Sequence, residues 1–183
     1  MDKFTNPLQG ERLYLRAYKE EDTQPAYKLI NDYSSIRTAR VLPTFPTSLQ
    51  EEKDFVGEAM KKSGPTFDFA IVRNEDDVYM GGCSVQKFDE IARIANIGIF
   101  LGKPYQRLGY GYEALSLLIR FIFNELNIRK IKLFVFSFNE AGIALYKKLG
   151  FKEEGVLKEE LYREGRYHDS IVMGLFRRDW VKN

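Results

Sequence analysis

Residues 99–111 read Ile-Phe-Leu-Gly-Lys-Pro-Tyr-Gln-Arg-Leu-Gly-Tyr-Gly, and a helical pattern opens at once near Tyr110. An apolar strand thus runs into a short loop carrying Gln106, Gly109 and Gly111. Glycines let backbone N–H groups approach a bulky anion, and a helix start presents unpaired N–H groups with a partial positive charge. Such a loop suits a pyrophosphate; taken alone, it also reads as a plain turn. Other chemistry is narrowly bounded. The chain has one histidine, His168, and one cysteine, Cys83. A Ser/His/Asp or Cys/His system would have to be built on His168, and zinc motifs needing paired histidines or CxxC are absent from the sequence. Acid–base work therefore rests mainly on Tyr, Asp, Glu, water or backbone.

The elements that would hold this loop can be read from periodicity. Leu13–Tyr18 alternates as a strand. A helix is predicted from Glu20 to about Tyr33, with Asp22 as N-cap and Pro25 in the first turn, where proline is tolerated. Ser34–Thr47 reads as a loop, and Ser48 with Gln50, Glu51 and Glu52 opens a second helix to about Lys62. Strands follow at Thr66–Arg73, Tyr79–Lys87 and Arg93–Leu101, joined by hairpins. The helix at Tyr110–Leu126 is largely apolar with one wet edge. A strand at Lys130–Phe136, a helix at Asn139–Leu149 stopped by Gly150, and strands at Phe151–Leu161 and Tyr167–Phe176 complete the chain, with Glu164-Gly165 as the last turn. The order β-α-α-β-β-β-α-β-α-β-β mixes hairpins with one βαβ crossover, an α+β arrangement with a mostly antiparallel sheet of about seven strands and four helices.

The chain has 183 residues, 44% of them apolar and 30% charged, which suits one soluble domain spanning 1–183. A formal charge of +2 gives no global case for nucleic acid. No apolar run approaches the ~20 residues of a membrane span, and the first residues lack the apolar stretch of a signal peptide. The cytoplasm is the expected compartment.

Two segments resemble a known family. Gln106-Arg107-Leu108-Gly109-Tyr110-Gly111 is similar to the acyl-CoA loop of the GNAT N-acetyltransferases, and Asn139-Glu140-Ala141-Gly142-Ile143-Ala144-Leu145-Tyr146-Lys147-Lys148-Leu149-Gly150-Phe151 is similar to the helix that follows it there. The opening Glu11-Arg12-Leu13-Tyr14-Leu15-Arg16 and the closing Glu153-Glu154-Gly155 and Gly165-Arg166-Tyr167-His168-Asp169 resemble the branch with ribosomal-protein and spermidine acetyltransferases. The likeness covers about residues 11–180 and implies the GNAT fold.

The resemblance implies acetyl-CoA as cosubstrate, no metal, and direct transfer of the acetyl group to a primary amine of a small molecule or a protein N-terminus. The backbone of Ile99 and Leu101 would bond the pantetheine amides while their side chains pack. The loop N–H groups from Arg107 through Tyr112, with Leu108, Gly109, Tyr110 and Gly111 between, would hold the pyrophosphate beside Gln106. Arg107 would add a charge, and reads equally as a solvated surface residue. Asn139 is an N-cap by default and a pantetheine neighbour by resemblance. Ala141 matches a small position beside CoA, and Tyr146 a tyrosine that can protonate the leaving thiolate; a packing role is its plain alternative.

An alkylamine has a pKa near ~10, so a base, a water chain or a desolvating site must supply the neutral nucleophile. Many members of the branch carry a glutamate in a central Glu-Ile-Gly pattern. Here the pattern is Asn96-Ile97-Gly98, and asparagine cannot be a carboxylate base. The base is left unassigned, with Asn96 as a residue that can orient water or substrate. The loop between the first helices carries Arg37 and Arg40 and a single acid, Asp32, which points to a neutral or anionic acceptor. A spermidine or polyamine enzyme and a catalytically lapsed CoA-binding module are the alternatives. The partners expected are acetyl-CoA and an amine, with no nucleic acid and no membrane, and with a homodimer left open.

Overall fold

A computed structural model describes residues 7–39, 45–61 and 66–180. Strand β1 (Leu13–Arg16) buries Leu13 and Leu15 by simple alternation. After a single 3₁₀ turn come helices α1 (Thr23–Ile30), α2 (Tyr33–Ile36) and α3 (Leu49–Met60). The meander β2 (Phe67–Arg73), β3 (Tyr79–Asp89) and β4 (Ile94–Leu101) leads into helix α4 (Tyr110–Glu125). Strand β5 (Lys130–Phe136), helix α5 (Glu140–Lys148) and the hairpin β6 (Lys152–Arg163)–β7 (Arg166–Phe176) close the chain. The seven strands form one sheet in the order β1-β2-β3-β4-β5-β7-β6, with β4–β5 its one parallel pair. The crossover from β4 to β5 through α4 is the expected βαβ unit.

Each face of the sheet is covered. Leu115, Leu118, Ile119, Ile122 and Phe123 of α4 are fully buried in the main core, with Leu13, Leu15, Ile71, Val85, Ile97, Ile131 and Leu133 of the strands. At roughly 1.5–3 kcal/mol per buried large side chain, this stripe is what fixes α4 on the sheet. On the opposite face Val56 of α3 and Ala26 of α1 pack with Ala70, Val72, Tyr79 and Tyr18. Ser48 and Glu51 exchange side-chain and backbone bonds in a capping box, so α3 starts where the sequence placed it. Its expected end at Lys62 lies outside the described residues.

One predicted helix is divided. The stretch from Glu20 to Tyr33 forms the 3₁₀ turn Glu20–Asp22, then α1, and a separate α2 inside what was read as a loop, so the described residues hold five α-helices rather than four. The break at Asn31 and Asp32 has a local cause. The Asp32 carboxylate accepts bonds from the Ser34 N–H and from the hydroxyls of Ser34 and Ser35, which starts a new helix in place of continuing the old one. Asp22 occupies the N-cap position of α1 without capping it. It is buried, and its carboxylate instead takes the Arg16 guanidinium bidentately, at 2.7 and 2.8 Å, and the Lys19 N–H.

Candidate active site

The sheet opens in its middle. β4 and β5 pair only through Ile94–Lys130, Ala95–Ile131 and Asn96–Lys132. Beyond those pairs β5 stays bonded to β7 and β4 to β3, while the two strands part from each other. Backbone direction in the open stretch of β4 follows from alternation. Gly102 N–H donates to Met80 O on the β3 side at 3.0 Å. The polar groups of Phe100 and Gly98 share that side, and those of Ile97, Ile99 and Leu101 face the gap. Around the gap lies a cleft of about 1430 Å³, lined by Ile97–Leu101, by Phe134–Phe136 and by residues from both faces of the sheet. That exceeds the ~300–1,000 Å³ of an ordinary single-ligand pocket, as a site joining two substrates requires.

On the α4–α5 face the glycine loop closes one end of the cleft. Lys103–Tyr105 makes a 3₁₀ turn, and Gln106 Nε2 ties the loop back to the Leu101 carbonyl at 2.8 Å. Arg107 and Gly109 both have positive φ, 59° and 87°. Gly109 is the N-cap of α4 and brings no side chain to its first N–H groups. Those groups remain available, together with the positive end of a 16-residue helix dipole. Gln106, Arg107, Gly109, Gly111 and Tyr112 line the cleft, as do Ile99 and Leu101. Leu108 and Tyr110 do not: the Leu108 side chain is exposed, and the Tyr110 ring lies under the Arg12 guanidinium, 4.9 Å away. Lys148 adds a second cation near the loop, over the Tyr112 ring at 4.7 Å.

Helix α5 starts beside the gap. Asn139 caps it, accepting the Gly142 N–H at 3.0 Å, and Asn139 and Ala141 border the cleft. Tyr146 lies two turns further on, packed edge-on against Phe151. Its side chain is buried and borders the cleft, its hydroxyl makes no hydrogen bond among the described residues, and desolvation pushes its pKa up to about 12. A neutral phenol donor is what such an environment provides.

The opposite face brings carboxylates to the cleft, whose lining also holds Arg37 and Lys103. Glu51 and Glu52 of α3, Asp68 of β2 and Glu160 of β6 line the cleft there, with Tyr18, Phe55 and Tyr79. Asp68 has no hydrogen-bond or ion-pair partner among the described residues, and burial raises its carboxyl above the ordinary range. Arg37, which suggested an anionic acceptor, is already engaged: its Nε and Nη2 hold the Glu164 carboxylate at 2.7 and 2.9 Å. Arg40 lies outside the described residues. Asn96 belongs to the closed part of the sheet and does not border the cleft. Arg37 lines the cleft but is paired with Glu164, and carboxylates reach the cleft from other elements. Asp68 could have been noticed in the sequence: it shares a strand face with Ala70 and Val72, both fully buried. A charge in that register is a signal.

The Arg37–Glu164 pair joins α2 to the tip of the last hairpin, where Tyr33 OH also donates to Glu164 at 3.2 Å. The hydrogen bonds from Arg37, above all, hold the Glu164 carboxyl down at about 2. The contact is present above the ordinary glutamate value of ~4.5 and is lost as pH falls toward 2. Arg37→Gln should return Glu164 most of the way to its ordinary value in an NMR titration; an unmoved Glu164 means that Arg37 does not hold it.

Comparisons agree on one family. A family model described as an acetyltransferase (GNAT) domain matches residues 12–152. An uncharacterized N-acetyltransferase derived from the SPbeta prophage of Bacillus subtilis, YokL, is 32% identical over 95% of each chain. The spermidine N(1)-acetyltransferase of Escherichia coli is 33% identical over 52% of this chain and 51% of its own. Among solved structures, spermidine N-acetyltransferase from Vibrio cholerae, in complex with CoA and spermine, superposes with a TM-score of 0.84 at 23% identity, covering 94% of this chain and 100% of that one.

Proposed function

The chain belongs to the GNAT acetyltransferases, acyl-CoA-dependent N-acetyltransferases, and from that premise we propose that its two-faced cleft passes an acetyl group from acetyl-CoA directly to a primary amine. The observation that carries this reading is the gap between β4 and β5. It connects a basic glycine loop at a helix start, on one face, to an acidic, aromatic wall on the other. Acetyl-CoA supplies the activated acetyl group. Arg107, Gly109, Gly111 and Tyr112 hold its pyrophosphate, and Ile99 and Leu101 offer backbone bonds to its amide-bearing arm. An N–H of the open β4 backbone polarises the thioester carbonyl. Tyr146 hydrogen-bonds the departing thiolate. The amine enters from the α1–α3 face and loses its proton there.

The acceptor is a cationic amine. An unpaired, partly buried carboxylate such as Asp68 favours a positive charge nearby, and Glu160 adds to that field. Among the acceptors named for the relatives, spermidine fits such a wall. In a thiol-release assay with acetyl-CoA, di- and polyamines should turn over faster than amino acids of net negative charge. Asp68→Asn should raise KM for the cationic acceptors by roughly tenfold or more, in keeping with the ~1.5–3 kcal/mol of a hydrogen bond to a charged group. Preference for anionic amines would overturn the acceptor assignment and leave the reaction standing. No release with any amine, alongside tight CoA binding, would favour a lapsed module.

A further inference from the structure

The glycine loop is braced from outside as well as by its own bonds: Arg12, immediately before β1, reaches it. Arg12 Nη1 donates to the Leu108 carbonyl at 3.0 Å. Arg12 is itself fixed by Glu113 in the first turn of α4. One carboxylate oxygen of Glu113 accepts the Arg12 backbone N–H at 2.7 Å, and the other accepts Nε at 2.9 Å. The guanidinium also lies over the Tyr110 ring, and a Cβ on Gly109 would come within 3.0 Å of Nη2.

We propose that Arg12 is a positioning residue that sets the Leu108–Gly109 peptide so that the Gly109 N–H faces the acyl-CoA pyrophosphate. The reasoning starts from peptide geometry. The Leu108 carbonyl and the Gly109 N–H belong to one planar trans unit and point in opposite directions. Drawing the carbonyl to Arg12 turns the N–H the other way, toward the cleft that Gly109 borders and Leu108 does not. Glycine makes this lock necessary. Gly109 sits at φ 87°, and glycine visits negative φ as readily, so a flip of this peptide is cheap without a partner. The flipped peptide would present a carbonyl oxygen to the phosphates in place of a donor. The Arg12 side chain is 47% exposed and that of Glu113 16%, so Arg12→Lys, which keeps a cation beside the carboxylate, separates the effect on the loop from an effect on the fold.

This inference rests on the loop being the acyl-CoA site, and its test separates the two. The affinity of CoA is measured by calorimetry for wild type, Arg12→Ala and Arg12→Lys, and kinetics are run with acetyl-CoA and with S-acetyl-pantetheine, which lacks the pyrophosphate. Amide hydrogen exchange over residues 107–112 is followed without ligand. The Ala variant should bind CoA ten- to thirtyfold more weakly and raise KM for acetyl-CoA with kcat nearly unchanged. KM for S-acetyl-pantetheine should stay the same. Exchange at the loop should rise in the ligand-free variant, which a merely direct phosphate contact would not cause. Arg12→Lys, which keeps charge but not the fork, should fall between and covers the case in which the Ala variant folds poorly. Unchanged CoA affinity, an equal loss with the truncated donor, or unchanged loop exchange overturns the role of Arg12. Absence of CoA binding by the wild type would instead remove the reading on which it rests.

Discussion

Tyr146→Phe should lower kcat by roughly ten- to a thousandfold while leaving the affinity for acetyl-CoA little changed. The substitution keeps the ring, and with it the packing on Phe151 at a centroid distance of 6.0 Å. It removes a hydroxyl that has no hydrogen bond among the described residues, so stability should move by less than about 1.5 kcal/mol. Burial holds this phenol at about 12, so it stays a neutral donor throughout the working range and is lost only as pH rises toward that value. A thiol in water titrates near ~8.5, which makes full transfer from so weak an acid uphill. The mismatch narrows inside the protein, where burial raises thiols as well; the buried Cys83 thiol is pushed up for that reason. The role expected of Tyr146 is therefore a short hydrogen bond to the developing thiolate, and its loss should slow the step without abolishing it. A folded Phe variant with wild-type kcat, measured where chemistry limits the rate, takes Tyr146 out of the mechanism.

The second large effect is expected at the loop. Gly109→Val places a β-branched residue at φ 87° and its Cβ 3.0 Å from Arg12 Nη2. Gly111→Val brings a Cβ to 3.2 Å from Leu145 Cδ2 and 3.5 Å from Leu101 Cδ1, at the point where α4 approaches α5 and β4. Each should weaken CoA binding at least about tenfold, and the strain at Gly109 should cost on the order of 1–3 kcal/mol of stability. Gly57→Ala is the control. A Cβ there meets nothing within 4 Å, inside helix α3, so this variant should gain about 0.5–1 kcal/mol and bind CoA as before. A folded Gly109→Val, Gly111→Val double variant with unchanged affinity would sink the assignment of the loop.

Local chemistry was legible in the sequence and distant encounters were not. Strand β5 begins and ends where alternation put it, at Lys130 and Phe136. The hairpin turn at Glu164-Gly165 shows the two positive φ values, 53° and 80°, that its composition suggests. Ser48 caps α3 as its spacing with Glu51 foretold. What failed was the continuity of the first helix, because the competition of the Asp32 side chain for its own backbone is stronger than a periodicity that runs through it. The acidic wall was missed for a different reason. Glu52 and Glu160 have innocent local readings, and Glu160 lies on β6, far along the chain from α3 and β2; only the fold brings it to the same cleft as Glu52 and Asp68, whose register alone gave a signal. The same holds for Arg37, whose charge looked free until the last hairpin supplied Glu164.

The short junction between β4 and β5 has a consequence for the whole chain. Three residue pairs are the ladder that joins the four-stranded half of the sheet to the three-stranded half. Past them the ladder is unfinished, and rungs on two strands await a counterpart. A ligand whose arm carries amides can enter as a substitute strand, so that occupying the cleft and completing the sheet become one event. Any such ligand bound at a hundred times its Kd would stabilise the native state by about 2.7 kcal/mol, a sizeable part of what holds a domain folded. Cosubstrate concentration then acts on how long the protein survives as well as on how fast it works.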